Sequence, residues 1–315
     1  MPNWNDVLKE IAATEPKEGQ SPFDIVRRKY LAELSKKTGR NVIAYYSGFL
    51  TNPRYFGADI NDDDKNGFML CSHEIDRKRG LDLILHTPGG NLYATESIIH
   101  YLNEMFDGNI RAVVPQIAMS AGTMIATSCS GILMGKHSNI GPVDPQINGF
   151  PAFAIKRQFE RAYKEIKNDP RTAPIWQPML AQLGVSFVEQ CDWAIEYAKE
   201  FVIKSLTKNM LRDDPDVTTK APRIAEILSD LGENKSHERR FFYQDCQEMG
   251  LKIEMIEDDP ELQDLILTVH HSFMHVLANA GVIKIIENQI GKAQVKSAAQ
   301  QSQPANLTIG FGGPS

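Results

Sequence analysis

Ser120 sits between small residues at the head of a mostly apolar segment, AMSAGTMIATS, residues 118–128. A serine there either caps a buried helix or acts as a nucleophile held at the mouth of a site. Upstream lies TPGGN, residues 87–91, directly after the apolar run LDLILH. Pro88 fixes one dihedral, and Gly89 and Gly90 permit backbone angles that other residues avoid. Such a turn is either an ordinary strand-to-helix connection or a bare amide aimed into a cleft. If both turns reach one edge of a sheet, a glycine N–H and the N–H of Ala121 could face a single oxygen. Two such donors stabilise a tetrahedral oxyanion, each being worth about 3 kcal/mol of barrier. The small residues Ala118, Ala121 and Gly122 suit close packing and close substrate approach equally.

The elements that must position these groups follow from periodicity. RNVIAYYSGF has the β-branched and aromatic content of a strand. FMLCSHEIDRKRG reads as a short helix stopped at Gly80, and LDLILH as a strand covered on both faces. Ile98, Ile99, Leu102, Met105 and Phe106 recur at helical spacing. NIRAVVP is a further strand, Ser120–Ser128 a helix, and GILMGK a short strand. This alternation predicts an α/β fold: a mostly parallel sheet with flanking helices and right-handed crossovers, followed by a helical C-terminal part. In that part, amphipathic helices are expected over 152–166, 187–210 and 260–280, with polar connections at LRDDPDVTTKAP and GENKSHERR. The proline-rich 169–186 cannot be regular throughout. The organisation expected is a helical lead-in over 1–40, one domain over 41–285, and a disordered tail over 286–315.

LILHTPGGNLYATESI, then AMSAGTMIATS, then HSNIGPVDPQ, in that order and spacing, resembles the Clp/crotonase superfamily of serine peptidases. The pattern is closest to the signal peptide peptidase A and serine dehydrogenase proteinase groups, over roughly residues 40–255. The resemblance implies a Clp/crotonase-like fold, a peptide or protein substrate, and assembly into homo-oligomers around an interior chamber. It implies Ser120 as nucleophile and an oxyanion hole made by the amides of Gly90 and Ala121. No cofactor and no metal is expected.

The resemblance leaves the base open. Clp-type relatives carry a histidine at a position occupied here by Pro145. Signal-peptide-peptidase-like relatives use a lysine some forty to fifty residues beyond the serine. Lys156 and Lys164 are the candidates here, because Arg161, on which one count lands, does not surrender its proton. Lys156 is preferred, in the first turns of its helix and beside an apolar stripe, where desolvation lowers a lysine pKa. His237, next to Glu238 in KSHERRFF, is the other candidate base. Asp144 in GPVDPQ reads as a brace for its turn. His86 and His137 read as structural or surface residues, and His270, His271 and His275 share a helix without an evident acidic or thiol partner.

Bulk properties limit the alternatives. The chain has 315 residues, a formal charge of −6 and 42% hydrophobic content. It therefore lacks the basic excess of a general nucleic-acid binder. No stretch approaches the ~18 apolar residues of a membrane span. The first twenty residues have no signal-peptide pattern. Cys71, Cys129, Cys191 and Cys246 are widely spaced, as reduced core thiols in the cytoplasm would be. Two competing readings keep the fold: an acyl-CoA-binding crotonase-like enzyme, and an oligomeric scaffold whose serine has lost its base.

Overall fold

LDLILH is buried at every position, because a parallel strand is covered by helices on both faces. This is β2 (Leu81–His86), the middle strand of the sheet. In the computed structural model, which describes residues 4–53, 56–147, 149–181, 186–229 and 239–298, its neighbours are β1 (Asn41–Ser47) and β3 (Ile110–Val114). With β5 (Gly131–Met134), β9 (Ile253–Met255), β10 (Val282–Asn288) and β11 (Ala293–Ser297), they form a seven-stranded sheet of order β11-β10-β1-β2-β3-β5-β9; the short pairs β4 (Ile117–Ala118) with β6 (Asn139–Ile140) and β7 (Gln146–Ile147) with β8 (Phe150–Pro151) lie outside it. From β1 to β9 every pairing is parallel; β10 and β11 add an antiparallel edge. The mixed α/β, mostly parallel architecture is the one expected.

The pleat sorts side chains into two cores. Ile43, Tyr45, Leu83 and Leu85 face α4 (Leu92–Phe106), α5 (Ala121–Thr127), α8 (Phe187–Lys208) and α9 (Val217–Ser229). Val42, Ala44, Tyr46 and Ile84 face α2 (Pro22–Thr38) and α11 (Pro260–Asn279). The lead-in is helical, as expected: α1 (Trp4–Ala13) precedes α2. The latter starts at a capping box in which the Ser21 hydroxyl accepts the Asp24 N–H and the Asp24 carboxylate accepts the Ser21 N–H. In an arm of the chain, α6 (Ala152–Asn168) and the first turns of α8 enclose a small cluster of Ala152, Ile155 and Cys191, and α7 (Ala173–Leu180) is tied to α6 by the Trp176 indole N–H, which donates to Glu165 at 2.9 Å. Further along, α10 (Tyr243–Met249) ends at Gly250.

Three expectations are corrected. LRDDPDVTTKAP is not wholly a connection: α9 begins at Val217 and runs through Pro222. The proline removes one backbone donor, but Ala221, Ile224, Ala225 and Leu228 are buried, which outweighs the local defect. The tail does not begin at 286. Val282–Asn288 is a fully buried strand, and Ala293–Ser297 pairs with it; residues 299–315 lie outside the described residues. Between α3 (Asp64–Ser72) and β2, the expected helix to Gly80 is broken into α3 and a single turn at Arg77–Arg79.

His86, the last residue of β2, is fully buried, and neither ring nitrogen has a partner among the described residues. Its ring packs 5.2–5.4 Å from those of Phe49, Tyr46 and His270. Burial pushes its pKa down to about 3, and that of His270 well below the usual value. Both rings are therefore neutral in the folded chain, whereas in the unfolded chain they titrate near 6.5. Below that pH the unfolded state binds more protons. Stability is thus complete above about 6.5 and falls toward 3, by up to roughly 1.4 kcal/mol per pH unit for each ring. Urea unfolding between about pH 7 and pH 5 measures the slope. His86→Phe is expected to flatten it by one ring's share; an unchanged slope would remove His86 from the account.

Candidate active site

β2 does not stop pairing at His86. Thr87 continues as a one-residue bridge to Ala118 in the short β4 (Ile117–Ala118). Its N–H donates to Ile117 O at 3.2 Å, and its carbonyl accepts the Met119 N–H at 3.0 Å. These two bonds bring the glycine turn and the serine turn to the same carboxyl edge of the sheet, where open α/β sheets bind ligands. A Cβ on Gly89 would stand 2.8 Å from Ser120 Cβ and 3.1 Å from Ala121 N. Only glycine fits there, and its φ of +100° makes the same demand.

The next residue is held from its other side. Ile60 donates its N–H to Gly89 O and accepts the Asn91 N–H, each at 2.8 Å. In this parallel bridge the N–H and C=O of Gly90 face away from Ile60. A Cβ on Gly90 would overlap the Ile60 backbone. Asn91 then caps α4, its side-chain oxygen accepting the Ala94 N–H at 2.9 Å.

Ser120 itself has φ +51° and ψ −114°, a conformation that L-residues avoid. Its hydroxyl makes no capping bond to α5, so the reading of Ser120 as a helix cap lacks its defining interaction. The residue is partly exposed. Ala121 is the first residue of α5, where no intrahelical acceptor exists for its N–H. The small residues have packing reasons: a Cβ on Gly122 would stand 2.5 Å from Thr87 Cγ2. The Thr123 hydroxyl ties α5 to Gly141, just beyond the short strand Asn139–Ile140, lying 2.9 Å from Gly141 O and accepting the Gly141 N–H at 3.0 Å. The arrangement offers a hydroxyl and two amides, from Gly90 and Ala121, around one edge of the sheet.

The candidate bases are distributed differently. Lys156, on α6, pairs with Asp192 of α8 at 2.6 Å. That hydrogen bond raises its pKa, with partial burial acting weakly against it. Lys164 is exposed on the outer face of α6, and Arg161 pairs with Glu165 at 2.8 Å. His237 and Glu238 lie outside the described residues. Asp144 is buried and accepts the Gln146 side-chain amide at 2.8 Å, while Ala152 N–H bonds Pro145 O at 2.9 Å. His137 is exposed. His275 bonds the Trp4 carbonyl at 3.0 Å, and the His271 ring lies 5.6 Å from that of Trp4. Among the described residues no group of three or more His, Cys, Asp or Glu is arranged to hold a metal ion. No helix among them is long and apolar enough to cross a membrane.

The sequence reading gave no role to Thr87 or Ile60. Ile60 is one apolar residue in the polar run GADINDDD, and only its pairing with the glycine turn reveals its place.

The fold and the edge that carries Ser120 define a ClpP-like α/β protein. A family model described as "ClpP-like SDH-type serine proteinase" matches residues 13–269, and the chain belongs to that family. Membership puts it among serine proteinases, a class of hydrolases. Two proteins of Methanocaldococcus jannaschii are similar. MJ0137, uncharacterized, is 27% identical over 237 residues, covering 74% of each chain. MJ1495, also uncharacterized, is 27% identical over 232 residues, covering 72% of this chain and 71% of its own.

Backbone strain at Ser120 is directly measurable. A non-glycine residue in such a conformation costs about 1–3 kcal/mol, and glycine relieves it while adding some unfolded-state entropy. Ser120→Gly is expected to be about 1 kcal/mol more stable than Ser120→Ala by chemical denaturation. Equal stabilities would mean that the turn is unstrained.

Proposed function

We propose that this chain is a serine peptidase that cleaves peptide bonds through an acyl-enzyme on Ser120. The observation that carries the reading is the contact between the Gly89–Gly90 turn and a strained, uncapped serine at one sheet edge. In this reading Ser120 Oγ attacks the scissile carbonyl carbon and its proton passes to a base. The carbonyl oxygen, now an anion, lies between the N–H groups of Gly90 and Ala121. Collapse of the tetrahedral intermediate expels the amine, which takes the proton. Water then repeats the attack on the ester, releasing the acid and restoring Ser120.

The base is Lys156 or His237. A lysine with a raised pKa is protonated near neutral pH, so Lys156 would act only after leaving Asp192. An extended peptide can pair along the strand edge beside the glycine turn, a recurrent mode of recognition. A cavity of about 350 Å³ between α4 and α8 is lined by residues such as Tyr93, Glu96 and Lys204, not by Ser120. Peptide or protein substrates, homo-oligomeric assembly and a cytoplasmic setting complete the proposal.

Labelling with a fluorophosphonate probe tests it. The wild-type protein is expected to be modified at Ser120, and Ser120→Ala to be silent. Equal labelling of Ser120→Ala would place the nucleophile elsewhere. No labelling with tight coenzyme A binding would favour the acyl-CoA reading, and neither property would favour the scaffold. Of Lys156→Ala and His237→Ala, the variant whose labelling slows by roughly a hundredfold or more identifies the base.

A further inference from the structure

The Gly90 amide is aimed by a segment that belongs to no strand of the large sheet. Ile60 bonds the residues on both sides of Gly90, so the position of Asp59–Asn61 fixes the direction of the glycine N–H. That segment is in turn held from behind by three buried side chains. Lys284 Nζ, on β10, donates to Asp59 O at 2.6 Å. The Asp64 carboxylate accepts the Asn61 N–H at 3.0 Å. The Ser47 hydroxyl, at the end of β1, donates to Ala58 O at 2.6 Å.

Lys284 and Asp64 also pair with each other, at 2.7 and 2.9 Å, with both side chains 3% exposed. Tyr45, fully buried, donates its hydroxyl to the same carboxylate at 2.9 Å. Burying an ion pair is a poor way to stabilise a sheet, since an apolar pair of the same volume often does as well or better. What an apolar pair cannot do is bond backbone groups of a short irregular segment. Here each partner spends a hydrogen bond on that segment, one on the residue before Ile60 and one on the residue after it.

We infer that the buried Lys284–Asp64 pair is a positioning device for the Gly90 amide, holding Asp59–Asn61 and, through Ile60, the glycine turn in register with Ser120. The inference rests on the proposed function, because the amide matters only if an acyl oxygen develops charge beside it. Lys284 and Asp64 are positioning residues; neither touches the reacting atoms.

The test compares the full-length wild type with the double variant Asp64→Asn/Lys284→Met, which removes both charges together and leaves neither buried alone. Two quantities are read from fluorophosphonate labelling: the maximal rate, and the probe concentration that gives half of it. Fluorescein-labelled casein, an unfolded polypeptide, reports ground-state binding on a Ser120→Ala background, and urea unfolding reports the fold. The double variant is expected to stay folded and to bind probe and casein as the wild type does. Its maximal labelling rate should fall roughly tenfold or more, since a misplaced oxyanion donor acts on the transition state alone. A folded double variant labelled at the wild-type rate would overturn the inference. If it does not fold, Ser47→Ala decides: a maximal rate lowered roughly threefold or more supports positioning of this segment, and an unchanged rate overturns it. A wild-type chain that does not react at Ser120 removes the proposed function, and this inference with it.

Discussion

Two backbone hydrogen bonds made by Thr87, to Ile117 and from Met119, are the constraint on which the candidate site depends. β2 and β3 are parallel neighbours, so their carboxyl ends reach the same edge in any such sheet. Sharing an edge does not bring two turns into contact. The extra bridge beyond the end of β2 does so, by carrying the chain after β3 back against Thr87. It also explains the composition of both turns. Gly89 and Gly122 lie where the two chain segments touch, and a side chain on either would force them apart. Pro88 cannot donate a hydrogen bond, and it stands just past the last residue of β2's line that needs one.

Much of this architecture was legible because its signals are local. LDLILH and NIRAVVP carry continuous apolar runs, α4 shows helical spacing, and TPGGN and AMSAG carry the small residues that close approach demands. Ser120 was singled out from its neighbours, but its strained conformation and the missing cap bond were not legible, since both are set by the turn and not by residue type. The antiparallel edge was not legible, for a physical reason. Val282–Asn288 contains Lys284 and Glu287, which read as solvent-facing interruptions, yet both are buried. Their partners are far away in sequence: Asp64 for Lys284, and Arg27 with Arg28 for Glu287. A buried charge is tolerable only with its partner in place, and a local pattern does not reveal a partner more than two hundred residues distant. Helix α9 was obscured differently, by a proline whose local cost is smaller than the burial of the face it interrupts.

The site's own environment was less legible than its motifs. Gly90 could be named from the turn, whereas Ile60 could not, since an isolated isoleucine among acidic residues has no periodicity to read. Lys156 was placed correctly in the first turns of α6 and near an apolar stripe. The sequence could not show that Asp192, on a separate helix, lies within hydrogen-bonding reach of its ammonium.

The two ends of the sheet show how buried charge is used. At the amino edge, Asp82 near the start of β2 accepts Arg40 at 2.8 Å and Arg111 at 3.0 Å, and Arg111 reaches Glu254 on β9 at 2.8 Å. These links cross strands already joined by regular ladders, and their side chains bond one another and adjacent sheet backbone. At the carboxyl edge, the Lys284–Asp64 pair bonds instead to Asp59 and Asn61, residues with no ladder of their own. Regular secondary structure satisfies its own backbone, so a buried polar side chain is not needed to complete it. An irregular segment has unsatisfied N–H and C=O groups that burial makes costly, and a buried pair that satisfies them also fixes where the segment lies. The same kind of interaction therefore braces a regular sheet at one end and, at the other, sets the position of Ile60, the residue of an irregular segment that aligns Gly90.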